Sequence, residues 1–312
     1  MTSKAPVQAS AMGRPAQAQT PPALSRNLAR PSGRALRRRL WFGLLTVCGL
    51  AKRGFFIPHR WADAVTPAGA RASYPAAEAL LAEREPRFVQ TLAWIDALAE
   101  DLIRIGAEPA PAPRWTQAWF PRLDAAAAYT LVRRRRPGRI VEVGSGHSTR
   151  FLVQAVRDAG LDTRITAIDP APRADLSGLP VELLRMPVQQ AGAEAFAGLG
   201  PGDFLIIDSS HVLMPGSDVD LLLGRVLPGL PAGVLVHLHD IFLPDDYPAA
   251  WDWRGYNEQL GVLQLLLGGA WEVVFASHYV ATRMARALEA SVVARLPITA
   301  EALESSLWIE RR

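Results

Sequence analysis

The stretch RIVEVGSGHST (residues 139–149) passes from an apolar strand through a glycine turn into the start of a helix. Arg139 to Val143 reads as a strand buried on both faces, as in the interior of a parallel sheet. Gly144 and Gly146 let the chain turn sharply and bring its backbone close to a ligand, with a helix amino terminus just beyond. That helix is predicted from Ser148 to Ala159, with an apolar face at Phe151, Leu152, Ala155 and Val156 and with Gly160 placed to end it. A dinucleotide fingerprint wants a third glycine where this chain has Thr149. The next strand, Arg164 to Ile168, closes on Asp169-Pro170, an acid 23 residues after Gly146 that can accept both hydroxyls of a ribose.

The alternation continues towards the carboxyl terminus. Val181 to Arg185, Phe204 to Ile207 and Gly233 to Leu238 read as further strands, with helices near Val219 to Val226 and within Asn257 to Leu267. Trp271 to Val280 and Ser306 to Glu310 read as two final strands. Apolar runs separated by helices predict a doubly wound α/β fold, a parallel sheet covered on both faces. Ligands bind such sheets beyond the carboxyl ends of their strands, where the strand order reverses.

Before this domain, which spans 138–312, residues 63–137 read as mostly helical. Ala76 to Ile105 is one long apolar-periodic stretch that Pro86 should break or kink. Pro109, Pro111 and Pro113 mark a connector, and Asp124 to Arg136 forms a helix ended by Pro137-Gly138. Residues 40–137 are therefore assigned to an apolar segment and helical cap. Residues 1–39 form a basic leader without apolar periodicity, expected to be disordered. The run LWFGLLTVCGLA (40–51) is flanked by Arg37-Arg38-Arg39 and Lys52-Arg53. It lacks the small-residue cleavage site of a secretory signal and the length of a membrane span. Two readings remain for it, a short helix packed on the protein or one lying on an anionic membrane.

Charge is distributed unevenly. The chain carries 34 basic and 30 acidic groups, but residues 1–62 contain no Asp or Glu and 11 of the basic groups. Residues 63–312 keep 23 basic against 30 acidic groups, a net −7. The overall +4 therefore does not point to nucleic acid. One cysteine, Cys48, excludes a disulfide framework and a cysteine-based zinc site. The partner expected is a small-molecule acceptor; for the leader a disordered tail followed by a packing helix is preferred, with weak contact to an anionic membrane as the alternative. The location expected is cytoplasmic, with peripheral contact to that membrane.

Glu142-x-Gly144-x-Gly146 after the first strand, with Asp169 closing the second, resembles the S-adenosylmethionine-dependent methyltransferases of the Rossmann-like class. IVEVGSGHSTRFL, DFLIIDSSH (203–211), GVLVHLHDIFLPDDYP (233–248), SSLWIERR (305–312) and WTQAWFPRLDAAAAY (115–129) are similar to a bacterial subgroup of that class. The resemblance covers roughly residues 55–312. It implies a seven-stranded sheet whose last strand is antiparallel, with S-adenosylmethionine as cofactor. It also implies that Glu142, Gly144, Ser145 and Gly146 flank the methionine part, and Asp169 the ribose. Met186-Pro187-Val188-Gln189, at the third strand end, lacks the acid that often helps hold adenine in such enzymes.

Two further strand ends carry polar groups, Asp208-Ser209-Ser210-His211 and His237-Leu238-His239-Asp240. Methyl transfer needs a nucleophile in line with the methyl group and often a base to take its proton. His211 and His239 have suitable unperturbed acidity, and Asp240 can orient an imidazole. Asp208 is expected beside the cofactor or substrate. Asp208 and Asp240 together are also candidates to hold a divalent cation such as magnesium, as in some O-methyltransferases of similar fold. Trp251, Trp253 and Tyr256, with Trp115, Trp119 and Phe120 from the other side, are candidates to wall an acceptor pocket. Methylation on oxygen is the leading reading. The alternatives are a metal-dependent hydroxylase or hydrolase using Asp208, His239 and Asp240, and a non-catalytic membrane-associated protein that kept the fold.

Overall fold

The computed structural model describes residues 33–312, with Ala35 described by its backbone alone. Expectations placed on residues 1–32 lie outside the described residues. Seven strands form one sheet in the order β3-β2-β1-β4-β5-β7-β6. They are β1 (Arg139–Val143), β2 (Arg164–Ile168), β3 (Val181–Leu184), β4 (Phe204–Ile207), β5 (Leu235–Leu238), β6 (Trp271–Ala276) and β7 (Leu307–Arg311). The first five are parallel, whereas β7 runs antiparallel to both β5 and β6. The doubly wound reading is therefore correct, and the order reverses between β1 and β4.

Register positions the site. Val143 pairs with Ile168 on one side and Ile207 on the other, and Ile207 pairs with Leu238. Gly144, Asp169, Asp208 and His239 are each the next residue, so all four leave the sheet along one edge. The ladder extends one step past the strands to hold them there. Gly144 N–H donates to Ile168 O (3.1 Å), Asp208 N–H to Val143 O (2.8 Å) and His239 N–H to Ile207 O (2.9 Å).

Among the described residues, eleven α-helices surround the sheet or precede it: α1 (Gly33–Val47), α2 (Pro75–Ala82), α3 (Glu85–Asp96), α4 (Ala99–Arg104), α5 (Arg122–Arg135), α6 (His147–Asp158), α7 (Val188–Ala191), α8 (Asp218–Leu221), α9 (Glu258–Leu267), α10 (Ser277–Arg283) and α11 (Ala285–Ala290). The core between layers includes Tyr129, Phe151, Phe204, Phe275 and Trp308, all fully buried. Leu123 to Val132 of α5 are buried around the whole helix, because α5 lies sandwiched between α6 and α3.

The long stretch before Ile105 breaks ahead of Pro86 as expected: α2 ends at Ala82, and Pro86 sits in the first turn of α3, where a missing N–H costs nothing. Two expectations need correction. The sixth strand ends at Ala276 rather than Val280, opposite Leu307 where its partner β7 begins, and helix α10 opens at Ser277. The leader is not without structure up to residue 39, since α1 is helical from Gly33.

Candidate active site

At the β1 turn, Gly144 has φ +77°, and a Cβ there would lie 2.2 Å from Asp208 O. Only glycine lets the first and fourth strand ends approach this closely. The loop is held from beneath by a relay. Gly146 N–H donates to Thr149 Oγ1 (2.9 Å), and Thr149 Oγ1 donates to Glu142 Oε2 (2.6 Å). Ser148 Oγ donates to Glu142 Oε1 (2.6 Å). Thr149 thus has a use of its own where a dinucleotide fingerprint has glycine.

Glu142 is fully buried and uses both carboxylate oxygens to fasten the start of α6. It lines neither the cleft nor the closed pocket described below. Strand alternation accounts for this: Val143, which faces the opposite way from Glu142, lines the cleft instead. Burial pushes its carboxyl up to about 7; the Ser148 and Thr149 hydroxyls oppose that rise, and Asp208 and Asp169 add to it.

Asp169 lies at the edge of an open cleft of about 580 Å³. Gly144, Ser145, Asp208, Ser209, Ser217 and Phe55 also line that cleft, as do Pro187, Val188 and Gln189 at the acid-free third strand end. Asp169 Oδ2 accepts from Ser145 N–H (2.7 Å) and Ser145 Oγ (3.0 Å), and Oδ1 accepts from Ala171 N–H (2.7 Å). A carboxylate offers about four lone-pair sites, so one remains. Turning the Ser145 hydroxyl away would free a second.

On the other side of Asp208 the sheet edge is closed. Trp119 stacks flat on His147 (5.4 Å between centroids, 2° between planes). Beneath them a pocket of only about 10 Å³ is lined by Phe120, Gly146, Arg173, Asp208, His237 and His239. Burial lowers His147 to about 4, with the neighbouring Arg150 and Arg114 cations adding to the effect. Of the aromatics considered for an acceptor pocket or for core packing, Trp119 and Phe120 line this small pocket. Trp115 instead belongs to the core, its Nε1 donating to Leu102 O (3.1 Å). Tyr256 packs on the His211 ring at 4.7 Å, while Trp251 lies under the Arg254 guanidinium at 4.0 Å.

The expected histidines and carboxylates do converge. His211 Nε2 lies 3.2 Å from Asp208 Oδ1 and 3.3 Å from Asp240 Oδ2, and its Nδ1 lies 2.9 Å from Glu258 Oε2. His239 Nδ1 lies 3.4 Å from Asp240 Oδ1 and 3.8 Å from Asp208 Oδ1. Its Nε2 faces Asp124 Oδ2 at 3.4 Å, within ion-pair range but not aligned as a hydrogen bond. His211 and Asp240 both adopt left-handed backbone, at φ 61° and 55°. Such strain in non-glycine residues persists where surroundings over-determine it. Here Ser305 Oγ donates to Asp240 Oδ1 (3.2 Å), and the His211 carbonyl accepts from the Asn257 and Glu258 N–H groups that open α9.

These neighbours overturn the expectation of near-neutral imidazoles. Burial alone would lower His211, but hydrogen bonds to Asp208 and Glu258 and the charges of Asp240 and Glu258 hold it well above its ordinary value. Burial likewise opposes the charge on His239, yet Asp240, Asp124 and Asp208 raise it to about 9. Asp208 stays far below the usual carboxylate range; burial works against this, and the His211 hydrogen bond and both imidazolium charges outweigh it. His237, beside His239 on the same strand face, has no carboxylate partner. It bonds Ser306 Oγ (2.7 Å), and burial and the His239 charge lower it to about 3.

Two members of this cluster are absent from the sequence reading. Asp124, in the first turn of α5, is fully buried and accepts from the Ser305 and Ser306 N–H groups at 3.0 Å each. Glu258, in the first turn of α9, is buried and also accepts from Ser209 Oγ (2.9 Å). An acid in a helix first turn reads as ordinary dipole chemistry, so neither carried a signal.

The residues do not fit the divalent cation expected between Asp208 and Asp240. The His211 imidazole stands between their carboxylates, and among the described residues no group of three or more His, Cys, Asp or Glu is arranged to hold a metal. The metal-dependent hydroxylase or hydrolase reading loses its geometric basis with it.

Residues 141–241 match the family model described as a methyltransferase domain. This stretch is a methyltransferase domain. The match runs from the middle of β1 to just past Asp240, so the glycine loop, Asp169, Asp208, His211 and His239 all belong to the methyltransferase domain, whereas Asp124 and Glu258 lie outside it. The resemblance seen in the glycine loop thus extends through the fifth strand end. No curated protein matches the chain. Among solved structures, the SAH-bound methyltransferase PaMTH1 of Podospora anserina is 17% identical, with 83% of this chain and 99% of that one covered and a TM-score of 0.39. The O-methyltransferase from Bacillus cereus in complex with SAH is 10% identical (72% and 91% covered, TM-score 0.40). The O-methyltransferase TomG from Streptomyces achromogenes, in complex with SAM and involved in tomaymycin synthesis, is 15% identical (71% and 89% covered, TM-score 0.37). At such scores these likenesses assign no residue of the methyltransferase domain.

Proposed function

We propose that the protein transfers a methyl group from S-adenosylmethionine to an oxygen of a small-molecule acceptor. The observation that carries this reading is the register that brings Gly144, Asp169, Asp208 and His239 to one edge, between an open cleft and a closed aromatic pocket. Bound S-adenosylmethionine supplies a methyl group on a cationic sulfonium. The cleft fits it, since Asp169 keeps acceptor capacity for a ribose hydroxyl and Gly144 leaves its backbone open to approach. Asp208, ionised and partly exposed, faces a cation without desolvating a bare carboxylate.

On the acceptor side, neutral His239 takes the hydroxyl proton. Asp124, fixed by two backbone N–H groups, and Asp240 then stabilise the imidazolium that forms. His211 stays charged and holds Asp208 and Asp240 in place. A cation in the cleft also lowers the His239 pKa, which brings the base nearer to neutral pH. Residues 138–312 make up the cofactor-binding domain, and residues 40–137 form a cap whose Trp119 and Phe120 close the acceptor side. The enzyme works in the cytoplasm, in peripheral contact with an anionic membrane.

S-adenosylmethionine should raise the melting temperature, and Asp169→Ala, compared at its own unliganded melting temperature, should remove that rise. No rise at saturating cofactor would sink the reading.

A further inference from the structure

The exposed apolar surface of the described residues is concentrated before the first cap helix. On α1, Leu36, Leu40, Leu44 and Val47 are 47%, 64%, 56% and 63% exposed. Their spacing places them along one face of the helix. The opposite face is covered, since Phe42, Leu45 and Thr46 are half-buried and Thr46 Oγ1 accepts the Arg53 N–H (3.0 Å). Helix α1 therefore presents a free apolar stripe while its back is held by the chain that follows. Arg37 and Arg39 project to either side of that stripe. Farther along, Phe56 (67% exposed) and Trp61 (61%) continue the apolar surface.

Every charge on residues 1–62 is positive. Apolar residues flanked by cations, with tryptophans among them, match the layering of an anionic bilayer surface, where acyl chains lie beneath a negative headgroup plane. A nucleic acid would answer the charge but leave the stripe in water. Helix α1 has 15 residues and no helix of the described residues is long and apolar enough to cross a membrane, so the geometry available to α1 at a bilayer is that of a helix in the interface plane.

We propose that residues 33–61 dock the enzyme on an anionic lipid bilayer through the Leu36, Leu40, Leu44 and Val47 face of α1, bringing the cofactor cleft mouth to that surface. Phe55 of this segment is itself part of the cleft wall, which puts the cleft next to the docking segment. Docking goes beyond methyl transfer and does not depend on it.

The test is flotation of the full-length chain with vesicles of phosphatidylcholine alone and with vesicles containing phosphatidylglycerol as well. The protein should float only with the anionic vesicles, and added salt should weaken its binding. Leu40→Glu with Leu44→Glu should lower partitioning at least about tenfold, and neutralising Arg37, Arg38 or Arg39 with Gln about fivefold each. Both positions of the first pair are exposed, so the cofactor-induced rise in melting temperature should be unchanged in that variant. Absence of flotation overturns docking, as does equal flotation by the double variant. A lipid-free dimer that the double variant dissolves would overturn it too, by making the stripe an interface between copies. Loss of the cofactor effect alone would strike the proposed function and leave docking standing.

Discussion

At Gly144, φ +77° is open to an asparagine, but the 2.2 Å between a Cβ and the Asp208 carbonyl oxygen is closed to every side chain. Gly144→Ala should therefore force the first and fourth strand ends apart, cost about 2 kcal/mol or more, and abolish the cofactor-induced rise in melting temperature. His239 makes a second prediction. With its pKa raised to about 9, the neutral base is scarce at neutral pH and grows tenfold per pH unit. kcat/KM should rise with slope near one through neutrality and level off above about pH 9. His239→Asn should flatten that profile and lower the plateau by about 10²–10⁴; a flat wild-type profile would assign the proton to another group. The same proton stabilises the fold. Because the folded pKa exceeds the ordinary value of 6.5, its contribution is complete below pH 6.5 and is lost as pH rises through about 9. At this scale the sequence marks Gly144, Asp169, Asp208, His211, His239 and Asp240 through their positions at strand ends. It does not show what surrounds them. The protonation of His211 and His239 depends on Asp124 and Glu258, which reach the site from helices 84 residues before and 18 residues after the Asp208–Asp240 stretch they serve.

Elements were most legible where periodicity is strong. β1, β2 and β4 fall on their expected residues, and α6 begins one residue early because His147 already has helical backbone. The end of β6 was not legible, because it depends on a partner distant in the chain: β6 stops at Ala276, opposite Leu307 where β7 begins. Of the two short turns that divide the long stretch before Ile105 into α2, α3 and α4, the one at Glu83-Arg84 was marked by Pro86 and the one at Ala97-Leu98 carried no such mark. The closure over the acceptor side is likewise a meeting of two elements, Trp119 from the segment before α5 and His147 from the start of α6. A pocket of about 10 Å³ holds roughly one water, so an acceptor enters only when this stack parts. Trp119 is half-exposed, and Trp119→Ala should open the pocket with little change in melting temperature. Steady-state kinetics should then show KM for the acceptor changed several-fold while KM for S-adenosylmethionine stays within about twofold; equal shifts in both would mean that the stack supports the cofactor instead.

For the whole molecule, the net +4 conceals two surfaces of opposite sign, a basic, apolar amino-terminal segment and a body of net −7. The body's negative charge includes the carboxylate cluster at the strand ends, which is suited to a cationic cofactor. Phe55 joins the two surfaces, being half-exposed, part of the amino-terminal segment and part of the cleft wall. A side chain shared by two binding surfaces makes their occupancies thermodynamically reciprocal. If anionic vesicles change the Kd for S-adenosylmethionine by some factor, the cofactor must change the vesicle partition coefficient by the same factor. Titrating each in the presence of the other checks the equality, and Phe55→Ser should bring both factors to one. The aromatic at the cleft mouth would then be the means by which arrival at a membrane is felt as a change in cofactor affinity.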